Sequence, residues 1–391
     1  MAGPRPPWAV AAVPNHGASP RLPWERMEDV ERRIRDAIGD RGPITFADFM
    51  ELALYSPGAF YDTPPVGADA HFVTSPHVHD AFALFVSDAL KRMWTQSGRP
   101  EPFRVVEVGA GDGTLARQLL VQLHDLPIEY IAVERSEGAR SELSGIDGIG
   151  VAERLTDVGV VGPGVILANE LLDNLPFRRV RMGSGGPVEV RVGVDDRGAL
   201  VEVETPCDAQ LAASTTPGMR AGEEATVPEG ALAFVDDLAG VLADGWAILI
   251  DYGGNVRSTG QVHGYREQRV VEDVLADPGS ADITAGVDFH LIEARARANG
   301  LRVEGSPSQR DALVSLGFDR WIRAELERQG ELMRARAGVE AVRAWGDRSR
   351  ATLLVDPGRL GRLRWMVLAA GEAPAPDWLG DAAGFRGEDR G

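Results

Sequence analysis

Residues 105–113, Val-Val-Glu-Val-Gly-Ala-Gly-Asp-Gly, constrain this chain more than any other stretch. A short apolar run carrying one acid leads into three glycines alternating with small or acidic residues, and Thr114-Leu115-Ala116-Arg117-Gln118-Leu119-Leu120 follows at helical period. Strand, tight turn and helix in that order mark the carboxyl edge of an open α/β sheet, where nucleoside-containing cofactors bind. The side chains at the turn discriminate among those cofactors. Thr114 stands where a dinucleotide fingerprint has its third glycine, and Glu107 and Asp112 flank the turn. A pyrophosphate is held by bare backbone N–H groups at a helix start, whereas the ammonium and sulfonium of S-adenosyl-L-methionine require carboxylates and carbonyls. Gly109, Gly111 and Gly113 with Glu107 and Asp112 therefore predict a binding site for that cofactor. The bland alternative is a plain βα turn.

Two downstream segments support the first reading. Ile128 to Val133 reads as the next strand and ends in Glu134, 21 residues beyond Gly113, where a carboxylate accepts both ribose hydroxyls, a spacing that suits NAD as well. Gly164 to Ala168 reads as a buried strand broken by Asn169-Glu170-Leu171-Leu172-Asp173-Asn174-Leu175-Pro176, which brings an amide and two carboxylates to the mouth of the sheet. Glu170 and Asp173, three apart at an expected helix start, fall on one face. With Asn169 they are the candidate catalytic residues, and Asn169 is counted with the cofactor site too. The structural alternative makes Asn169 a cap and both acids partners of the helix dipole.

Glu107, set among Val105, Val106 and Val108, is excused only by a ligand or backbone contact. Thr74 and Ser75 are read either as closing over the cofactor or as capping the next helix. Asp251 and Tyr252, at another strand end, are expected at the substrate entrance, and His290 is read as an ordinary helix histidine. His77 and His79 share no helix face and lack a third ligand, so no metal site is expected.

Composition sets the outer limits. With 391 residues, 44% of them hydrophobic, the chain can bury one large core or two ordinary ones. A net charge of −18 opposes nucleic-acid binding, which needs basic surface. Cys207 is the only cysteine, which excludes an internal disulfide or a cysteine cluster, and no apolar run reaches membrane-spanning length. A cytoplasmic protein is expected, and a homodimer is compatible with these data. Residues 1–24 read as a disordered, proline-rich leader; 25–100 as a helical extension covering the cofactor site; 101–176 and 228–371 as the core, with substrate-side loops and helices over 255–345. Residues 177–227 alternate as a β-hairpin insertion, and 372–391 read as a flexible tail. Within the core, 255–285 is polar and irregular, a candidate lid, and Phe318 to Trp345 reads as helical before a last strand at 364–368.

Ile44-Thr45-Phe46, Phe72-Val73-Thr74-Ser75-Pro76, the glycine motif, Ala168 to Pro176, Asp251-Tyr252-Gly253, Asp282-Ile283-Thr284-Ala285 and Asp356-Pro357-Gly358 together resemble the MidA-like family over roughly residues 44–371. The resemblance implies a class I methyltransferase: a doubly wound, Rossmann-like α/β sheet with a helical N-terminal extension and an inserted β-rich subdomain. It also implies S-adenosyl-L-methionine as cofactor and, from mitochondrial members, a protein arginine as methyl acceptor. This chain departs from the family at Ala70-His71, at His77-Val78-His79, at Gly286, where the family has histidine, and over 266–273. The cofactor half is thus expected intact and the substrate half altered. A small-molecule methyltransferase, a non-catalytic assembly factor that keeps the cofactor pocket and, more remotely, an NAD-linked oxidoreductase are the rival readings.

Overall fold

Seven strands form the central sheet: β1 Phe103–Val108, β2 Ile128–Val133, β3 Ile149–Ala152, β4 Gly164–Asn169, β5 Gly245–Asp251, β6 Arg302–Gly305 and β7 Arg364–Ala370. In the computed structural model, which describes residues 23–62, 74–213, 219–254, 261–266 and 269–380, they lie in the order β6-β7-β5-β4-β1-β2-β3. Strands β1 to β5 run parallel, and β7 lies antiparallel between β5 and β6. The winding direction reverses where β1 meets β4, and ligands of open α/β sheets bind outside the carboxyl ends at such a point.

Ahead of the sheet come α1 Pro23–Arg41, α2 Phe46–Tyr55, the single turn α3 Ser75–Val78 and α4 Ala81–Gln96. Helices α5 Thr114–Gln122 and α6 Glu137–Leu143 follow β1 and β2, α7 Glu229–Val241 and α8 Phe289–Ala298 flank β5, and α9 Phe318–Arg334 pairs with α10 Gly338–Thr352. The strands are near-continuous apolar runs because helices cover both faces. Alternation sends Val105, Val165, Ile248 and Trp365 toward α4 and α5, and Val106, Ile166, Leu249 and Met366 toward α7 and α8.

Four antiparallel strands of the 177–227 segment join Ile44–Thr45 in a second, five-stranded sheet. Thr45 accepts a hydrogen bond from the Asp48 amide at 3.0 Å and starts α2, whose Phe46 stacks on Phe177 with ring centroids 5.5 Å apart. The extension and the insertion, read separately from sequence, therefore share one small core with Phe49, Met50 and Val192.

Three expectations need correction. The described parts of the segment read as an irregular lid form a three-stranded sheet of Val262–Arg266, Arg269–Val271 and Asp282–Ala285, while 255–260 and 267–268 lie outside the described residues. The helix expected over 318–345 is a hairpin of two, turned at Arg336 with φ 58°. The stretch from residue 372 to 380 is no tail: Trp378 is buried edge-on against Trp365 at 6.0 Å. Residues 1–22 and 381–391 lie outside the described residues.

Gly113 precedes α5 with φ 75°, and a Cβ there would meet Ile146 Cδ1 and Leu143 Cδ2 at 2.8 Å. Those side-chain ends can shift, but the left-handed backbone remains unfavourable for alanine. Gly113→Ala is expected to destabilise the fold by about 1–2 kcal/mol, read as a lower thermal midpoint; an unchanged midpoint would show that the turn tolerates a side chain.

Candidate functional site

A cavity of about 1060 Å³ opens at the carboxyl ends of β1, β2 and β4. Of the residues singled out from sequence, Thr74, Glu107, Gly109, Gly111, Asp112, Glu134, Asn169, Glu170 and Asp173 line it. Ser75 and Gly113 do not. Ser75 is fully buried with its hydroxyl 3.3 Å from Gln309, and the Gly113 amide donates to Ala110 O at 2.9 Å while its outer side packs on Leu143 and Ile146.

The glycine turn is braced by carboxylates. Glu134 accepts the Gly111 amide through Oε2 and the Ser136 amide through Oε1, each at 2.9 Å. Asp112 accepts the Thr114 amide at 3.0 Å and the Thr114 hydroxyl at 2.9 Å, and its Oδ2 lies 3.1 Å from His77 Nε2. Burial alone would raise the Asp112 pKa, but hydrogen bonds from His77 and Thr114 hold it below the usual carboxylate range. His77 reaches back with Nδ1 to Thr74 Oγ1 at 2.8 Å, so the single turn α3 is tied to the glycine turn. Glu107 finds a partner that the sequence reading omitted: Tyr130, diagonal to it on β2, donates its hydroxyl to Oε2 at 2.5 Å. Burial nevertheless pushes the Glu107 carboxyl up to about 8.

The acidic segment after β4 is not a helix. Glu170 takes φ 52°, and only one 3₁₀ turn, Leu172–Asn174, follows, so the one-face argument for Glu170 and Asp173 fails. The competing interaction is long-range. Asp251, expected at the entrance, is fully buried and accepts the amides of Leu172 at 2.7 Å and Asp173 at 3.3 Å, which would otherwise start a helix. Tyr252 does line the cavity. Glu170 Oε1 accepts the Ser75 amide at 3.0 Å and Asn169 Nδ2 at 3.2 Å. Among the described residues, Asn169 Oδ1 and Asp173 Oδ1 are buried acceptors without a hydrogen-bond partner.

Side chains missed from sequence complete this end. Tyr61 and Asn174 both donate to Asp282 Oδ1 at 2.7 Å, and Tyr55 donates to Asn174 O at 3.0 Å. The Arg135 guanidinium lies 4.2 Å from the Tyr55 ring centre and pairs with Glu51. The aromatics around the Tyr55–Tyr61 turn and the Asp282 block were visible signals, but nothing local shows that they meet 108 to 221 residues apart. Desolvation raises Glu170 to about 7 and Asp282 to about 6, lifts Asp251, and lifts Asp173 well above its ordinary value with further repulsion from Asp251, Asp282 and Glu170.

These raised values have a sign. Each carboxyl binds its proton more tightly in the folded chain than in the unfolded one, so its stabilising contribution is full below about pH 4 and is lost as pH rises through 6 to 8. The thermal midpoint of the ligand-free protein is expected to fall between pH 5.5 and 8.5, and Glu107→Gln should flatten that fall. A midpoint that climbs over this range would contradict the acid cluster as described.

A family model described as S-adenosyl-L-methionine-dependent methyltransferase matches residues 85–306. The chain is similar to the rat protein arginine methyltransferase NDUFAF7, mitochondrial, at 26% identity over 337 residues, 77% of each chain, and to its Drosophila melanogaster homologue at 28% over 309 residues, covering 69% of this chain and 70% of that one. In structure it is similar to a COG1565 superfamily member from Burkholderia thailandensis bound to S-adenosyl-homocysteine, with a TM-score of 0.78, 26% identity and coverage of 94% and 98%. Because those relatives are mitochondrial proteins, the cytoplasmic expectation does not stand. A lone cysteine and the lack of long apolar runs suit any reducing aqueous compartment, so those features never separated one from another. No described helix is long and apolar enough to cross a membrane.

Proposed function

This chain belongs to the S-adenosyl-L-methionine-dependent methyltransferases of the MidA-like family, and from that premise we propose that its methyl acceptor is an arginine side chain of a protein. The cavity suits the cofactor on its own chemistry. Its glycine turn leaves room for a ligand, Glu134 stands at the end of β2 where a ribose diol is bound, and the acidic lining complements a ligand carrying an ammonium and a sulfonium. Glu107, Gly109, Gly111, Asp112, Glu134, Thr74 and Asn169 are the residues proposed to hold it. Ser75 and Gly113 support them from behind, through Glu170 and through the start of α5. When bound, the cofactor supplies an electrophilic methyl group.

One observation carries the acceptor assignment: Asn169 Oδ1 and Asp173 Oδ1 are buried without donors, beside Glu170 and Asp282. An orphaned buried acceptor is unfavourable by about 1–3 kcal/mol, so the site is built for a ligand rich in N–H groups. A guanidinium has five, in a planar fork, and stays charged at neutral pH. In the proposed mechanism Glu170 and Asp173 accept from that fork and align one nitrogen for in-line displacement, with Tyr55 and Tyr61 walling the pocket against water. The guanidinium must lose a proton as the new N–C bond forms, and Asp173 Oδ1 is placed to receive it. Burial and the neighbouring acids favour the protonated Asp173 in the ligand-free protein, and the bound cations favour the carboxylate that takes the proton.

The test uses methyl-labelled S-adenosyl-L-methionine with otherwise identical peptides that present arginine, lysine or histidine. Label is expected in the arginine peptide. Label in lysine or histidine instead, or only in small molecules of a cell extract, would overturn the acceptor assignment while leaving cofactor binding intact.

A further inference from the structure

The hairpin of α9 and α10 takes no part in the cavity, yet it carries five of the large apolar side chains that the described residues leave exposed. Leu326, Met333, Val339, Val342 and Trp345 are each between 54% and 67% accessible. Gln329 and Arg348 meet across the pair at 3.2 Å, which sets its antiparallel register. The inner seam is Glu325, Gln329 and Leu332 on one helix against Ala341, Ala344 and Arg348 on the other. Leu326 and Met333 each follow a seam residue by one position, as do Val342 and Trp345. One position is a turn of about 100°, and in antiparallel helices that rotation carries both sets to the same side of the pair. Leu326, Met333, Val342 and Trp345 thus form one stripe, and Val339 lies outside it. Four side chains so exposed leave on the order of 400 Å² of apolar surface, as large as the largest patches that monomers leave open.

Two further features suit that stripe to a helix. Gly330 follows the seam residue Gln329 by one position and so falls on the same side, and a Cβ there would meet nothing within 4 Å. Glycine weakens a helix interior, and here it leaves space for another backbone to approach. Arg323, Arg334 and Arg343 border the stripe and are exposed, with Asp319 and Glu327 the acids nearest to it, while Arg350 lies farther round and is paired with Asp347. The hairpin as a whole is basic in a chain of net charge −18. A second copy is a poor occupant, since it would set arginine against arginine and join two strongly acidic chains. The hairpin is rooted just beyond α3, where Trp321 packs on His79 at 5.7 Å and on Phe85 at 6.2 Å.

We propose that the exposed face of the α9–α10 hairpin is a docking site for an amphipathic helix of another protein, one whose apolar stripe is bordered by aspartate and glutamate. The occupant lies between α9 and α10, with its leucine-type side chains on Val342, Met333 and Trp345 and its acids on the flanking arginines. This binding needs nothing from the identity of the methyl acceptor.

Two fluorescent peptides of about 20 residues, with leucine at heptad a and d positions and either glutamate or lysine at the flanks, test the site against the full chain. The acidic peptide is expected to bind at least about tenfold more tightly than the basic one. Arg334→Glu combined with Arg343→Glu should reverse that preference, and Val342→Asp should abolish binding of both, while all variants keep their affinity for S-adenosylhomocysteine. Equal binding of the two peptides, or none, refutes the proposal. So does sedimentation that finds a concentration-dependent dimer lost on Val342→Asp, because a second copy would then be the occupant.

Discussion

Glu134→Ala is expected to weaken binding of S-adenosylhomocysteine by about 3 kcal/mol, roughly a hundredfold in dissociation constant. The size follows from two roles converging on one carboxylate. Its oxygens hold the amides of Gly111 and Ser136 at 2.9 Å, so the side chain shapes the glycine turn, and each oxygen keeps a lone pair for a ribose hydroxyl. Alanine removes both roles, leaves two amides without their acceptor and lets the turn at Gly111, with φ 54°, relax. Glu134→Gln keeps an oxygen for only one amide and should fall between wild type and alanine. Titration calorimetry reads the effect, and an affinity within threefold of wild type would remove Glu134 from the cofactor site.

Asp173→Asn should behave in the opposite way, with cofactor affinity nearly unchanged and methyl transfer lowered by about a thousandfold, the scale seen when a group that acts on developing charge is lost. The isosteric amide leaves the backbone contacts to Asp251 in place, but it puts a weaker acceptor beside the cation and offers no base. Stability separates this outcome from simple damage. Removing an acid whose pKa is pushed far upward by burial and by Asp251, Asp282 and Glu170 relieves repulsion, so the ligand-free variant should melt no lower than wild type near pH 8. An active Asp173→Asn protein would make another group the proton acceptor, with Asp282, which also lines the cavity, the candidate.

Comparison of these two residues shows how far local sequence reaches. The place of Glu134 on the cavity was recognisable because a strand, a fixed spacing and an acid follow one another along the chain. The local pattern around Asp173 was misleading: Asn-Glu-Leu-Leu-Asp has the composition of a capped helix start, and within its own window no competing partner is visible. Asp251 supplies that partner from 78 or 79 residues away, taking the amides that a helix would have used. Glu107 was similarly half legible. Its unfavourable place in an apolar strand was plain, but the tyrosine one strand over that donates to one of its oxygens was not.

What the amino-acid sequence determined alone was the α/β alternation, the glycine turn and the acids delivered to the strand ends, because strand burial, turn dihedrals and strand-end position depend on residues close together in the chain. Only the tertiary structure decided that the N-terminal helices and the 177–227 strands share a core, that Tyr61 and Asn174 converge on Asp282, and that the 318–345 segment folds back on itself. Those contacts join residues far apart in the chain, and whether they form depends on which burial and hydrogen bonding the whole packing makes most favourable.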